Sequence, residues 1–448
     1  MEEKKAIDQC DVGGILLSII WFLFLVEILI LALIKPFVTE FEVVSFIAVS
    51  THVFLSTFLL ITLKNKYRYL FLAAFLSRIL IMLWDLFARS IFVLPNSGAD
   101  SEMFYNSAVA ISENIALFNF ARGLYPRLMG LLFYMIGPQR MTAQYLNVLL
   151  GLSTVVVIWK ILVLLGITHR ATKLTVILAA FFPTSIIMSG IFLREILPTF
   201  FVAASLFLYL KWFKTSISLY ALGSVLLLLI ASAFHSGVIS IFVGYAFGFL
   251  FYNHRKKEFK SSLKSVIVFL LIVVGTALIF TRYSNLFLAK FAGVENIELI
   301  YYKASSSAGG SAYLQGLSVS NISQLLLFGP LRGFFFLTSP LPMDWRGVAD
   351  IFSFITDSLL YITTIFLVIK YRRYYGQNKP LVIVLLIMIA SAALIFGIGV
   401  GNAGTAMRHR QKLIPLFLVT LAVIINCSRE KAHQSGNEAL NDTMQRAR

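Results

Sequence analysis

Long runs of apolar residues alternate along the chain with shorter polar segments. A helix that crosses a membrane needs about 20 mostly apolar residues, because the hydrocarbon core is about 30 Å thick. The runs cover 12–34, 41–63, 70–92, 141–164, 174–192, 195–213, 217–235, 237–253, 265–283, 350–370, 380–400 and 412–427. The pattern predicts an all-α, polytopic integral membrane protein with about twelve transmembrane helices.

Basic residues between the runs predict the orientation of the chain. Short cytoplasmic loops carry an excess of Lys and Arg. The basic segments 64–68, 254–257 and 370–373 fall on one side if all twelve runs cross, together with 169–173 and 211–214. We therefore expect these loops and both termini to be cytoplasmic, in a multi-pass protein of a bacterial inner (plasma) membrane.

Two polar segments are too long to be turns, and they divide the chain. We expect a three-helix membrane segment at 1–92, an extracytoplasmic loop with surface-lying helices at 93–140 and a six-helix membrane segment at 141–283. A second extracytoplasmic loop at 284–349, a three-helix membrane segment at 350–427 and a cytoplasmic tail at 428–448 follow.

The first long loop shows helical spacing at Phe104, Ala108, Ile111, Ile115 and Phe118, which predicts a helix lying along the membrane surface. The apolar run 128–136 that follows is too short to span alone, so it is either re-entrant or a crossing that would invert all later loops. The second long loop has a Ser/Gly-rich stretch at 305–311, typical of a flexible lid, and then a Pro-interrupted apolar stretch at 325–337, which predicts a half-buried or re-entrant piece.

Composition agrees with this class and raises one question. Of 448 residues, 59% are hydrophobic and 13% are charged, yet the formal net charge is +17. Most cations lie in the predicted cytoplasmic loops, so the charge marks orientation and does not indicate a nucleic-acid partner. The sequence carries no phosphate-binding P-loop, zinc-protease signature or dinucleotide fingerprint, and its two cysteines form no disulfide framework.

A pair of carboxylates opens the first long loop. Asp100 and Glu102 stand two residues apart, so in an extended stretch both would point the same way. They could act as a general base on a sugar hydroxyl or hold a divalent cation such as Mg²⁺ or Mn²⁺. The alternative is an acidic first turn of a helix capped by its neighbouring serines.

Arg194 and Glu195 lie between two apolar runs without a polar spacer. Charges so close to hydrocarbon are functional by default, although a mutual ion pair that tightens the turn is the alternative.

The third group is the segment 401–410, in which a glycine-containing loop leads to Arg408, His409 and Arg410. Arginine forks bind phosphate oxygens in pairs, so Arg408 and Arg410 are predicted to hold a phosphate or pyrophosphate with Arg194 and Arg127. The alternative is interfacial snorkelling. Glu195 and His409 are expected to support the site, His409 as a weak acid or base candidate.

Several of these segments resemble the GT-C superfamily of membrane glycosyltransferases, which use polyprenyl-phosphate sugars. The resemblance covers roughly 95–215 and lies in 98–105 with Ala108, Tyr125, 133–137, 144–151, 182–185 and 193–195. It implies that Asp100 is the catalytic acidic residue. Two extra apolar runs precede the acidic loop, and the usual soluble C-terminal domain does not follow.

The Arg-His-Arg segment is similar to O-antigen and oligosaccharide repeat-unit polymerases, which hold undecaprenyl pyrophosphate with outward-facing arginines. Together the resemblances imply a glycosyltransferase of surface polysaccharide synthesis, acting on a polyprenyl-linked donor and a lipid-linked or glycan acceptor among membrane lipids. Other polysaccharide-assembly proteins are conceivable partners, and nucleic acid is not expected. A transporter or flippase of a lipid-linked oligosaccharide is the alternative, kept open by Arg78, Asp85 and Arg89 within one run, and a structural subunit is a third.

Overall fold

The computed structural model describes residues 2–121, 123–282, 310–317 and 319–428. The longer helices are α1 Glu2–Ile34, α2 Phe41–Thr62, α3 Arg68–Phe87, α4 Ala99–Glu113, α5 Leu124–Ile136, α6 Arg140–Leu164, α7 His169–Phe181, α8 Pro183–Gly190, α9 Ile196–Thr215, α10 Ser218–Phe234, α11 Phe242–Phe251, α12 Leu263–Arg282, α13 Ile322–Thr338, α14 Val348–Ser353, α15 Leu359–Lys370, α16 Lys379–Gly399 and α17 Ala403–Arg410, followed by α18 at 414–428. A two-stranded antiparallel ribbon pairs Tyr252–Asn253 with Glu258–Phe259 in a predicted basic loop. The protein is an all-α polytopic membrane protein.

Within the described ranges, eight helical stretches are long and apolar enough to cross a membrane: Gly13–Phe37, Phe41–Thr62, Arg68–Phe87, Arg140–Leu164, Ile196–Thr215, Val348–Lys370, Gly376–Gly399 and Ala403–Ser428. The pair α7 and α8, bent by 44° at Phe182, makes a ninth if it counts as one span. The predicted spans 217–235, 237–253 and 265–283 coincide with shorter apolar helices, Ser218–Phe234, Ser236–Phe251 and Leu263–Gly275.

Helices α6 and α18 form the centre of the fold. Nearly every side chain of α6 from Met141 to Leu162 is buried, and α6 packs against α1, α2, α3, α7, α8 and α9. Since other helices surround α6, few of its side chains can reach lipid or water. Several polar side chains on α6, Gln144 and Asn147 among them, are therefore buried and must find partners inside the protein.

The first long loop folds as a helix pair. The predicted apolar face of α4 is confirmed, because Phe104, Ala108 and Ile111 are buried against α5 and its neighbours. The helix ends earlier than the spacing predicts. Asn114 leaves the helical conformation and its Oδ1 accepts a hydrogen bond from Ala116 N, so Ile115 begins a 3₁₀ segment and is exposed.

The described part of the second long loop is tied to the segment before α17. Tyr313 N donates to Gly401 O at 3.0 Å, and Ala403 N donates to Ser311 O at 2.9 Å. The predicted apolar stretch 325–337 lies in α13, which contains Pro330. Of the predicted flexible stretch, 305–309 lies outside the described residues, as does almost all of the predicted tail.

Candidate functional site

Glu195 is the centre of a buried charge cluster. Its side chain is 0% exposed and contacts three cations: Arg194, which precedes it directly, and Arg408 and Lys412, which follow 213 and 217 positions later. Arg408 Nε donates to Oε1 at 2.7 Å, Lys412 Nζ donates to Oε2, and Arg194 Nε lies 3.8 Å from Oε1. Three positive side chains around one buried carboxylate leave a surplus of positive charge, which favours an anionic ligand.

The chain carries Arg194 and Glu195 on a break between α8 and α9. Residues 191–195 are not helical, and Ile191, Phe192 and Leu193 are fully buried. Non-helical backbone at this depth needs partners for its carbonyl groups. Asn147 of α6 supplies them, because its Nδ2 donates to Ile191 O at 2.9 Å and to Leu193 O at 3.0 Å. The break therefore has a fixed geometry.

Asp100 reaches the same cluster from the first turn of α4. Arg408 Nη1 donates to Asp100 Oδ2, so one guanidinium joins Asp100 to Glu195. The Asp100 side chain is 43% exposed, whereas Glu195 has no exposed surface. Asp100 is thus the carboxylate that a substrate can reach, and Glu195 is the one that holds the cations in place.

Arg194 is the cation of this cluster with unused donors. No hydrogen bond joins its guanidinium to any residue in the described ranges, and 18% of its side chain is exposed. The guanidinium lies over the Phe104 ring, with its carbon 5.8 Å from the ring centroid. A guanidinium held by an aromatic ring and a distant carboxylate keeps its fork available for phosphate oxygens.

His409 lies on the buried side of the cluster. Lys412 Nζ is 3.1 Å from His409 Nδ1, and because an ammonium group only donates, this ring nitrogen accepts and carries no proton. The ring also packs on His235, with centroids 4.5 Å apart, and on Phe396. These contacts orient Lys412 and place His409 next to the Glu195 cluster.

Glu102 belongs to a different cluster from Asp100. The two carboxylates are on a helix and not in an extended stretch, so the expectation that they point the same way is wrong. Glu102 Oε1 and Oε2 accept from Arg140 at 2.7 and 3.0 Å, and Oε1 also accepts from Arg89 at 2.5 Å. The Arg140 hydrogen bond lowers the pKa of Glu102 to about 2, against an opposing effect of burial. The two ion pairs of Glu102 therefore join α4 to the segment that follows α3 and to the first residue of α6.

The separation of the carboxylates also bears on the divalent-cation hypothesis. Among the residues that the structure describes, no group of three or more His, Cys, Asp or Glu side chains is arranged to hold a metal ion. Asp100 and Glu102 are each bound to arginines, which compete with a cation for the same oxygens.

Arg410 is separated from Arg408 by the geometry of α17. Positions two apart on a helix face nearly opposite directions. Arg410 is fully buried, with Nη2 2.5 Å from Asp357 Oδ2 and Nη1 donating to Leu337 O at 2.8 Å. Grouping Arg410 with Arg408 and Arg194 around one phosphate is therefore a misplacement, and Arg410 instead ties α17 to α13 and the π-helical turn Phe354–Ser358.

Among the described residues, Arg127 is bonded to nearby residues of its own loop. Its Nη2 donates to Asn119 O at 3.0 Å and its guanidinium lies over the Phe118 ring. The structure records no contact between Arg127 and the Glu195 cluster.

The intramembrane charges that keep a transporter open are bonded to neighbouring helices to different degrees. Arg78 Nη1 donates to the carbonyls of Ala74 and Ala180 at 2.7 and 2.9 Å. Asp85 pairs with Arg89, whose Nε lies 3.3 Å from Oδ1, and Oδ2 accepts from Gln144 at 2.6 Å. Asp85 and Arg89 are thus paired with each other, whereas Arg78 Nε has no hydrogen-bond partner and no carboxylate in the described ranges pairs with the guanidinium. The transporter alternative therefore keeps Arg78 as its one supporting observation among these three residues.

Sequence reasoning missed part of the cluster. The sequence places Lys412 beside Arg408 and Arg410 at the start of the final apolar run but does not predict its bond to Glu195, and Asn147 carries no charge that would single it out. The signal available for Lys412 was its spacing, since it follows Arg408 by one helical turn and shares its face. Nothing in the sequence indicated that Asn147 holds the break before Glu195.

The sequence matches no protein-family model, no curated protein and no solved structure.

Proposed function

We propose that the protein is a membrane glycosyltransferase that uses a polyprenyl-(pyro)phosphate-linked sugar or oligosaccharide in surface polysaccharide synthesis. The observation that carries the proposal is the cluster in which Arg408 joins the exposed Asp100 to the buried Glu195, with Arg194 beside it. A base that a sugar hydroxyl can reach stands next to a guanidinium with unused donors. Glycosyl transfer from a lipid phosphate needs both.

In the proposed reaction, the Asp100 carboxylate takes the proton of an acceptor hydroxyl while the hydroxyl oxygen attacks the anomeric carbon of the donor sugar. The bond between that carbon and the phosphate oxygen breaks, and its electron pair stays on the phosphate. Arg194 and Arg408 stabilise the negative charge that develops there, because preorganised donors are most effective where charge appears in the transition state. Glu195 and Lys412 are positioning residues.

The proposed topology has twelve crossings, with the shorter helices α10, α11 and α12 completing the nine longer spans. Both termini are then cytoplasmic, and the cluster lies at the extracytoplasmic face of a bacterial inner membrane. The donor arrives within the lipid phase, so the protein needs no nucleotide-binding domain.

The proposal is tested in cells of the source organism that lack the gene and carry wild-type protein or one variant at matched membrane abundance. Asp100→Asn, Arg194→Gln and Arg408→Gln are expected to abolish or shorten the surface glycan. Glu113→Gln, which alters an exposed carboxylate on the same helix as Asp100, and Arg373→Gln, which removes an exposed cation, are expected to leave it unchanged.

The length of the glycan separates the chemistries. Single-repeat chains indicate a repeat-unit polymerase, and a truncated repeat indicates a single-sugar transferase. Full-length glycan in all three site variants would overturn the proposal and favour a structural subunit. Retention of the lipid-linked oligosaccharide on the cytoplasmic side would favour the flippase alternative.

A further inference from the structure

Arg332 is a buried arginine whose charge has no partner in the described protein. Its side chain is 0% exposed, and none of Nε, Nη1 and Nη2 has a hydrogen-bond partner. No carboxylate in the described ranges lies within ion-pair distance of it. An uncompensated guanidinium removed from water is costly, and in membrane proteins such groups mark ligand sites.

The polar and charged groups near Arg332 already have other partners, so they do not compensate its positive charge. Arg410, on the α17 face opposite Arg408, is paired with Asp357 and with the carbonyl of Leu337 on the same helix as Arg332. Tyr313 lies close enough to interact electrostatically with the guanidinium, but its hydroxyl donates to Val400 O at 3.0 Å. The described groups around Arg332 therefore carry a net charge of one positive unit, which belongs to Arg332.

The backbone holds Arg332 in a fixed place near the end of α16. A Cβ added at Gly397 would lie 2.6 Å from Gly333 N and 2.7 Å from Arg332 C, so α13 and α16 cross here in direct backbone contact. The segment that follows α16 starts at Val400 and pairs with 311–313, and it leads into α17. Arg332 therefore lies near the end of a spanning helix, where lipid headgroups are found.

The outer face of α13 indicates the phase from which a ligand comes. Leu326, Leu327 and Phe334 are exposed by 72, 70 and 47%, as expected for side chains that face hydrocarbon. Arg332 lies on the other side of this helix, against α16 and α17. A ligand that reaches it from the lipid phase must carry an anionic group on an apolar chain, and neighbouring side chains such as Tyr313 must move to admit it.

We propose that Arg332 binds the phosphate group of a membrane lipid, at a site separate from the Glu195 cluster and on the other face of α17. The planar fork of arginine matches phosphate oxygens and suits this role better than a lysine would. The proposal goes beyond glycosyl transfer and does not depend on it, because an anionic phospholipid and a polyprenyl phosphate both provide the required group.

The test uses the purified full-length protein in phosphatidylcholine nanodiscs and compares wild type with Arg332→Met, Arg332→Lys and the control Arg373→Gln. The melting temperature and native mass spectra are measured without additive, with undecaprenyl phosphate and with phosphatidylglycerol. In wild type and Arg373→Gln, at least one of the two lipids is expected to raise the melting temperature and to remain bound in the mass spectra. In Arg332→Met the affinity is expected to fall by about tenfold to a hundredfold, since charge-assisted hydrogen bonds are lost.

The protein without added anionic lipid gives a second readout that a structural role would not produce. If the guanidinium is unpaired without ligand, Arg332→Met is expected to melt at the same temperature as wild type or higher, because an apolar side chain of similar length removes the buried charge. Binding of undecaprenyl phosphate alone would assign the site to a polyprenyl lipid, and binding of both lipids would assign it to anionic lipids in general.

Equal lipid affinity in wild type and Arg332→Met would overturn the proposal. So would failure of Arg332→Met to fold together with rescue by Arg332→Lys, because the charge would then serve the fold. Because this experiment measures lipid binding and melting temperature, its outcomes are independent of the glycan analysis that tests glycosyl transfer.

Discussion

Neutralising Glu195 should destabilise the protein more than any loss of an exposed carboxylate. Glu195→Gln keeps the size of the side chain and removes the charge that Lys412 and Arg408 share. Arg408 would retain Asp100, whereas Lys412 would keep the His409 ring nitrogen, the Arg408 carbonyl, which lies 3.4 Å from Nζ, and at best the single neutral amide oxygen of the glutamine. The loss of stability therefore comes mainly from the buried ammonium group of Lys412, which no longer has a charged partner.

Removing one partner of a buried ion pair costs about 3 to 5 kcal/mol, and the remaining bonds place Glu195→Gln near the lower end, about 3 kcal/mol. An unfolding entropy of about 2.1 cal/mol/K per residue gives about 0.9 kcal/mol/K for the 448 residues. The expected loss is then about 3 °C in melting temperature, and more if only part of the chain unfolds cooperatively.

The assay is differential scanning fluorimetry of wild type, Glu195→Gln and the control Glu113→Gln in one detergent, at one scan rate. Glu113 is exposed at the end of α4, so its variant should lie within about 0.5 kcal/mol of wild type. The double variant Glu195→Leu with Lys412→Met removes both members of the buried pair. It should melt above the single variant Glu195→Leu, because no unpaired ammonium remains.

Two results would refute this reasoning. One is a melting temperature of Glu195→Gln equal to that of Glu113→Gln. The other is additivity of the Leu and Met substitutions, which would mean that Glu195 and Lys412 do not interact in the protein.

Two further predictions concern the helices around the cluster. The low pKa of Glu102 means that its carboxylate stabilises the folded protein above the ordinary value of 4.5, and that this contribution is lost as the pH falls toward about 2. The difference in melting temperature between wild type and Glu102→Gln should therefore be constant from pH 8 to pH 5 and shrink below about 4.5; a difference that grows on acidification would contradict the assignment. Gly151→Ala should lower stability by about 1 to 3 kcal/mol, because its Cβ would lie 2.7 Å from Ser189 Oγ and 2.8 Å from Arg78 Nε. Gly399→Ala, with no atom within 4 Å of its Cβ, should not, and equal melting of the two variants would show that α6 and α8 have room to separate.

Hydropathy predicted the helical class and most helix positions, because the requirement to span hydrocarbon acts on each segment separately. It was less informative for the grouping of charges, which depends on helix direction and on contacts across long distances in sequence. Asp100 and Glu102 are neighbours in the chain but lie in different clusters, as do Arg408 and Arg410. On a helix, residues two positions apart face different neighbours. A prediction that treats a charged segment as one site therefore places both members of such a pair in the same cluster.

The tie between Glu195 and Lys412 joins residues 217 positions apart, so no local pattern could reveal it. Arg332 was hidden for a different reason. It lies within the apolar stretch 325–337, which the sequence predicts to be half-buried or re-entrant, and the sequence does not show that its charge lacks a partner.

The central claim is that Asp100 and its arginines catalyse sugar transfer from a lipid phosphate. The most direct measurement uses lipid-linked sugars extracted from cells that lack the gene, incubated with purified wild-type protein or Asp100→Asn, and follows release of the polyprenyl (pyro)phosphate by thin-layer chromatography. The account predicts release with wild type and loss of at least about a hundredfold in Asp100→Asn, the range expected for a general base. Equal release by the two proteins, or none by wild type with its glycan phenotype intact in cells, would contradict it.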